Sequence, residues 1–291
     1  FGLSYKLTPV TSINVGYGKH FQEPAYFHFT ANLEKNKKLK SRSADQYVLG
    51  IEHLFAEDMK GSVEIYQKDY QNFSFPRSWI ERDSLNDYDN EMVSIGKGYS
   101  RGIEFFLQKK LSKDFNLILS YSHYVSKRKD ARREDEPYFV ADYDFRDVFT
   151  FISGYRWNML EYKWYKNVKN KTWWKVMSWL VSPGDEFELS VRWRYTKGRP
   201  YTKQTYDPYL RHWYTSWSTE MNTERLPEYH RLDLMILRRW MFESSALVAY
   251  IDIMNIYGRK NIWGYNYAAD GSREDVYQFS LFPVGGFTLE F

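Results

Sequence analysis

Apolar and polar side chains alternate one by one along most of this chain. Leu189, Val191, Trp193 and Tyr195 take turns with Glu188, Ser190, Arg192 and Arg194, and Leu247, Ala249, Ile251 and Ile253 with Val248, Tyr250 and Asp252. A period of two puts one set on each face of a strand. It returns often enough to predict strands over 1–7, 12–21, 44–55, 60–70, 98–110, 115–127, 144–157, 187–197, 229–240, 245–256 and 277–291.

The spacers between these strands alternate in length. Short ones fall at 8–11, 56–59, 111–114 and 241–244, and long ones at 22–43, 71–97, 128–143, 198–228 and 257–276. A soluble sandwich has no reason to sort its connections this way, whereas outer-membrane barrels join their strands by short periplasmic turns and long outer loops. Residues 158–186 break the rule, since a short turn is due there. Within them Trp173, Met177, Leu180 and Val181 follow helical spacing while Lys171 and Lys175 fall elsewhere, which predicts an amphipathic helix over 164–181 lying on the periplasmic leaflet, with a simple extension of the two strands below the membrane as the alternative.

Composition sharpens the choice. Aromatic residues make up 20% of the 291 positions, yet charged residues are 27% and mean hydropathy is -0.66. Aromatic girdles around a wet, charged lumen account for both figures. The best apolar run, 247–256, already contains Asp252 and is too short for a spanning helix. Cys is absent, which removes disulfides, thiolate metal sites and a Cys nucleophile. The six histidines show no ligand spacing, no Gly-x-Ser-x-Gly marks a nucleophile, and a net charge of +4 does not point to nucleic acid. No metal, cofactor or enzymatic activity is therefore expected.

The expected fold class is all-β: an antiparallel transmembrane β-barrel, with about eleven strands here, half of a 22-stranded plugged barrel. Phe1-Gly-Leu-Ser-Tyr5 has no initiator Met or signal-like segment. Together with the odd strand count this predicts that 1–291 is only part of a longer barrel and starts in the middle of it.

Seven stretches, in order, carry a family resemblance: Tyr47-Val-Leu-Gly-Ile-Glu-His53, Val63-Glu-Ile-Tyr-Gln-Lys-Asp-Tyr70, Gly98-Tyr-Ser-Arg-Gly-Ile-Glu-Phe-Phe-Leu-Gln-Lys-Lys110, Arg192-Trp-Arg-Tyr-Thr-Lys-Gly-Arg-Pro-Tyr-Thr202, Tyr229-His-Arg-Leu-Asp233, Asp252-Ile-Met-Asn-Ile-Tyr257 and Phe282-Pro-Val-Gly-Gly-Phe-Thr-Leu-Glu-Phe291. The chain resembles the C-terminal half of the barrel of TonB-dependent outer-membrane receptors, in particular those of a Bacteroidetes-like branch. The resemblance implies energised import of a large scarce solute such as a siderophore, glycan or peptide. It also implies an integral outer-membrane location with a periplasmic C-terminus, and a terminal aromatic assembly signal, matched here by Phe287, Leu289 and Phe291. As partners it implies the protein's own plug, the TonB complex and a surface lipoprotein cap. A passive porin or an anchoring barrel is the alternative.

Glu52, Glu104, Arg192, Arg194, Arg231, Asp233, Arg239 and Asp252 fall on the polar faces of their strands. They read first as mutual cross-strand pairs or plug contacts in the lumen and second as a substrate path. Tyr206, Tyr209, His212, Trp213 and Trp217, with Trp263 in the last long loop, suit either solute stacking or packing at the outer girdle. The run Lys35, Lys37, Lys38, Lys40 and Arg42 suits lipopolysaccharide phosphates or plain solvent, and outer-membrane lipid is the expected neighbour of the apolar faces. Gly198-Arg-Pro-Tyr201 reads as a strand-terminating turn in which Gly supplies unusual dihedrals.

Overall fold

Aliphatic and aromatic residues predominate at alternate positions of most wall strands, and each strand's register decides whether those residues line up with the next strand's. In the computed structural model they do. It describes residues 1–80, 90–112, 114–132, 135, 137–215 and 220–291, with backbone alone at 79, 175 and 178–181. In chain order the strands are β1 (Gly2–Thr8), β2 (Thr11–Gln22), β3 (Arg42–Ala56), β4 (Met59–Pro76), β5 (Met92–Ser112), β6 (Phe115–Lys129), β7 (Tyr138–Val140), β8 (Asp147–Asn158) and β9 (Glu186–Thr196). Then follow β10 (Pro200–Tyr201), β11 (Thr205–Asp207), β12 (His212–Tyr214), β13 (Glu224–Arg225), β14 (Tyr229–Met241), β15 (Ala246–Met254), β16 (Ile262–Tyr267), β17 (Arg273–Tyr277) and β18 (Phe282–Glu290).

Eleven of these form one antiparallel meander in the order β1-β2-β3-β4-β5-β6-β8-β9-β14-β15-β18, with β7 added beside β6. It is an open wall, whose edges β1 and β18 are not paired with each other. Leu3, Val15, Leu49, Ile65 and Ile103 are successive partners across five strands, and Leu119, Phe151, Trp193 and Leu232 across four more. Leu189, Ile236 and Ile251 continue the band, and Phe287 sits opposite Ala249 on the same face. A one-residue slip anywhere would turn a whole strand inside out, so the matched rows specify the register.

This band is not a buried core. Few large apolar side chains are buried, whereas Leu49, Ile51, Ile65 and Ile103 are each about half exposed. Such a continuous exposed apolar surface calls for a non-aqueous neighbour. Aromatic clusters bound it above and below: Tyr17 meets Tyr47 and Phe149 meets Trp193 toward one end, and Trp157 contacts Tyr155 and Phe187 toward the other. Tyr195 and Phe187 are eight positions apart on β9, roughly 26 Å along the strand, which a tilted strand brings near the height of an outer-membrane apolar band. Among the described residues no helix is long and apolar enough to cross a membrane.

Each wall connection of two to four residues lies at one end of the sheet, and the long loops lie at the other. The insertion 159–185 lies at the short-turn end and is helical: a 3-10 turn at Met159–Glu161, then α-helices Lys163–Lys169 and Thr172–Val181. The expected single helix is thus two, parted at residues 170–171. Trp173 and Met177 of the expected stripe are exposed, as is Val176 between them, while the side chains of Lys175, Leu180 and Val181 lie outside those described.

The insertion is pinned by Asp185, itself buried. Tyr165 Oη donates to Asp185 Oδ1 (3.1 Å), Lys169 Nζ lies 2.6 Å from the same oxygen, and the Met241 amide donates to Oδ2 (2.7 Å). The Asp185 amide reaches the Arg239 carbonyl and its own carbonyl accepts from Met159. One residue therefore ties the insertion to the ends of β8 and β14. Gly184, at φ 81°, makes the left-handed turn just before it.

Three expected boundaries shift by five or six residues. The strands on either side of residues 77–91 project farther than 70 and 98, because Phe73, Ser74, Phe75 and Pro76 keep pairing with Gly96, Ser94, Val93 and Met92 beyond a bulge at Tyr70. The last wall strand begins at Phe282 rather than 277, since Arg273–Tyr277 folds back on Ile262–Tyr267 as a loop hairpin.

Candidate functional site

The long loops supply the candidate site, because loops set on a rigid wall carry function most readily. Three of them interlock over β8, β9 and β14. Asp144, wholly buried, accepts from Arg225 (2.8 Å) and Arg146 (3.4 Å) through Oδ1 and from the Ser126 amide (2.7 Å) through Oδ2. Asn222 donates to the Val140 carbonyl and to Asp142, each at 2.8 Å, so 197–228 is fastened to 130–146.

The base of 255–281 is stapled by two buried asparagines. The Asn255 amide donates to Asp233 (2.9 Å), and its side chain donates to the carbonyl of Arg259 (2.8 Å). Asn255 has φ 55°, the left-handed conformation that Asn tolerates better than most residues. Asn261 accepts from the His230 amide and donates to its carbonyl, copying a strand partner.

The expected solute-facing aromatics separate into two groups. Tyr206 donates to the Ala269 carbonyl (2.7 Å) and packs on Trp213, whose indole donates to the Ala268 carbonyl (2.9 Å) and meets Tyr267. This pair holds one loop to the next. Tyr209 and His212, by contrast, stand exposed at the β11–β12 hairpin, and Tyr209 is 94% exposed. Trp263 is largely exposed, with the Arg199 guanidinium 5.2 Å from its ring and donating to its carbonyl. Trp217 lies outside the described residues.

Trp263 also borders two neighbouring cavities, of about 470 and 340 Å³, which share Tyr229, Trp263 and Gln278. Arg194, Lys197 and Arg199 line the larger and Arg231 the smaller, and among the described residues no carboxylate lines either. Lys197 is 3.5 Å from Asp147 and Arg231 is 2.8 Å from Asp233, so part of this charge is compensated from behind. Arg194 and Arg231 are direct cross-strand partners. Two facing guanidinium groups repel, which raises the local attraction for an anion.

Outside the walls, Tyr265 and Tyr267 stay protonated to higher pH than ordinary phenols, chiefly through burial, and Asp270 is held below the usual carboxylate range by Ser272. Sequence reasoning missed Arg199, Tyr143, Tyr229 and Gln278 as lining residues. They come from separate segments that converge only in three dimensions. The Gly198 reading changes too: its φ is not positive, and what excludes a side chain there is the Leu226 carbonyl, 1.5 Å from where a Cβ would stand. Pro200–Tyr201 pairs with Glu224–Arg225 instead of ending a ladder.

The eight charged residues expected on the lumen side share the sheet face opposite the aliphatic band. Most are paired: Glu52 with Lys60 (2.8 Å), Arg192 with Asp252 (3.5 Å), Arg231 with Asp233, and Arg239 with Glu186 (3.4 Å) and Glu290 (2.5 Å). Glu104 accepts from Ser122 at 3.5 Å and faces Glu64 across the ladder.

A family model described as TonB dependent receptor-like, beta-barrel matches residues 1–284. The chain belongs to this family of TonB-dependent receptor barrels. Solved structures share the fold: the ferripyoverdine receptor of the outer membrane of Pseudomonas aeruginosa (TM-score 0.64, 14% identity, covering 99% of this chain and 32% of that one), the ferric-catecholate import receptor Fiu from E. coli K12 (0.57, 13%, 99% and 33%) and the ferric preacinetobactin receptor BauA from Acinetobacter baumannii (0.59, 12%, 99% and 35%). The chain spans about a third of the length of these structures. No curated protein sequence matches it. Barrels of this TonB-dependent family are outer-membrane proteins, and the exposed apolar band fits that setting.

Proposed function

We propose that the complete protein is a TonB-dependent importer of a large anionic solute, and that the two cavities around Trp263 are where the solute first settles. The observation that carries this reading is a basin lined by four cations and several aromatic rings without a carboxylate. Ferric chelates, the ligands named for the similar receptors, have this chemistry, as do acidic glycans and peptides. Tyr209 and His212 meet the solute from the hairpin tip, with Trp217 on the same loop. The polar wall face, with Glu104 and Arg194 least paired, turns to the lumen and receives the plug.

In this reading the short turns and the C-terminus are periplasmic, and Phe287 and Leu289 on the last strand, with Phe291 just after it, serve as the assembly signal. Lys37, Lys38 and Lys40 reach lipopolysaccharide phosphates, and a surface lipoprotein is compatible with the open loop end. The chain performs binding and passage rather than chemistry. Uptake of candidate ferric chelates should require both this gene and a working TonB system, and Arg199→Ala combined with Trp263→Ala should weaken solute binding by roughly tenfold to a hundredfold. Uptake that persisted without TonB would make the protein a passive porin, and no uptake at all would leave an anchoring role.

A further inference from the structure

Next to the helical insertion, the lipid-facing side of the wall is dented. A groove of about 580 Å³ runs over β14, β15 and β18, floored by Ala249 and Gly285 and walled by Phe187, Ile236, Ile251 and Phe287. The register puts all six on the aliphatic face, so the groove opens where acyl chains lie. Small residues make the floor, and bulky ones make the sides.

At the turn end of this groove sits a charge. Arg238 occupies the aliphatic row of β14, after Leu232, Leu234 and Ile236, and is opposite Phe187 on one side and Ala249 on the other. Its guanidinium lies 5.2 Å from the ring of Trp240 and donates to the Ser182 carbonyl at the end of the insertion. A cation on the lipid face is tolerated near an interface and costly at mid-bilayer, which sets Arg238 at headgroup depth. Guanidinium donors suit a phosphate.

The insertion adds charge of the same sign. Between Tyr162 and Gly184 there is no acidic residue, while Lys163, Lys166 and Lys171 are exposed. Trp173, Val176 and Met177, at helical spacings of three and four, turn an apolar face outward, and Trp164 in the preceding helix is exposed as well. Apolar faces flanked by lysines suit an anionic membrane surface.

We propose that this groove is a binding site for one anionic glycerophospholipid of the leaflet at the turn end. An acyl chain lies over Ala249 and Gly285, and the phosphate rests on Arg238 under the positive potential of the insertion. The site's size is that of an ordinary ligand pocket. The proposal rests on the reading of the chain as an outer-membrane barrel.

The test is native mass spectrometry of the full-length receptor, purified from outer membranes and titrated with phosphatidylglycerol or phosphatidylcholine. Phosphatidylglycerol should be retained as a single adduct and phosphatidylcholine weakly. Arg238→Gln should cut retention by roughly tenfold, the effect of one charge-assisted contact, and exchanging Lys163, Lys166 and Lys171 for Gln should reduce it less. The lysine variant touches only exposed side chains and so reports even if Arg238→Gln fails to fold. Equal retention of both lipids, retention unchanged in both variants, or a second receptor copy occupying the face without lipid would overturn the proposal. A receptor absent from the outer-membrane fraction would instead overturn the underlying barrel reading, before any lipid is added.

Discussion

Each end of the wall is organised by a buried aspartate, but the two ends face different surroundings. At the loop end Asp144 gathers Arg225, Arg146 and the Ser126 amide, and the segments it joins surround open cavities lined by cations. At the turn end Asp185 gathers Tyr165, Lys169 and the Met241 amide, and what it fixes turns aromatic and aliphatic side chains outward. The same device, a carboxylate satisfied by donors from distant segments, thus builds a cation-lined basin at one end and an exposed apolar foot at the other. The anchoring chemistry says little about function; the groups displayed around it say more.

The comparison can be broken most forcefully at Gly198. Ala there places a Cβ on the Leu226 carbonyl, and the two chain segments must part, at a local cost of about 3 kcal/mol or more. Hydrogen exchange should speed up across 198–228 while the insertion keeps its protection. Unchanged exchange would mean that the two segments are not in close contact.

Next in size, Asp185→Ala strands the Tyr165 hydroxyl and the Met241 amide and should lower the opening free energy of 159–186 by about 2–3 kcal/mol. Asp144→Asn keeps the shape but loses the charge, and should loosen 138–146 and 222–226 by about 1–2 kcal/mol. The two sites share no partner, so the double variant should show the sum. Strong coupling would defeat the view that the ends are independent.

The smallest effect is a titration. Burial pushes the Tyr165 phenol from 10.0 up to about 12, so the neutral form is the one the fold favours. That contribution is complete below pH 10, where the unfolded phenol is also neutral, and it is lost as pH rises from 10 to about 12. Local opening of the insertion should grow in this window, and Tyr165→Phe, which cannot ionise, should lose less. An identical pH profile in the variant would assign the effect to other groups.

Period two along the chain determined nearly all of the wall: which eleven stretches are strands, which face of each is apolar, and at which end the short turns lie. That follows because side-chain direction in a strand alternates without regard to anything distant. The apolar positions Leu189, Trp193, Ile251 and Phe287 were legible for the same reason. Register, the split of the insertion into two helices, and the division of the loop aromatics were not. Tyr206 and Trp213 find carbonyls some sixty residues away, and Arg199, Trp263 and Tyr229 meet around one cavity from three segments. No local pattern encodes such meetings, because they depend on where the wall sets each loop base and on which buried polar groups must be satisfied there. Arg238 shows the limit best: in sequence it is one more charge beside Arg239, and only the ladder reveals that it stands on the aliphatic side, lining a groove.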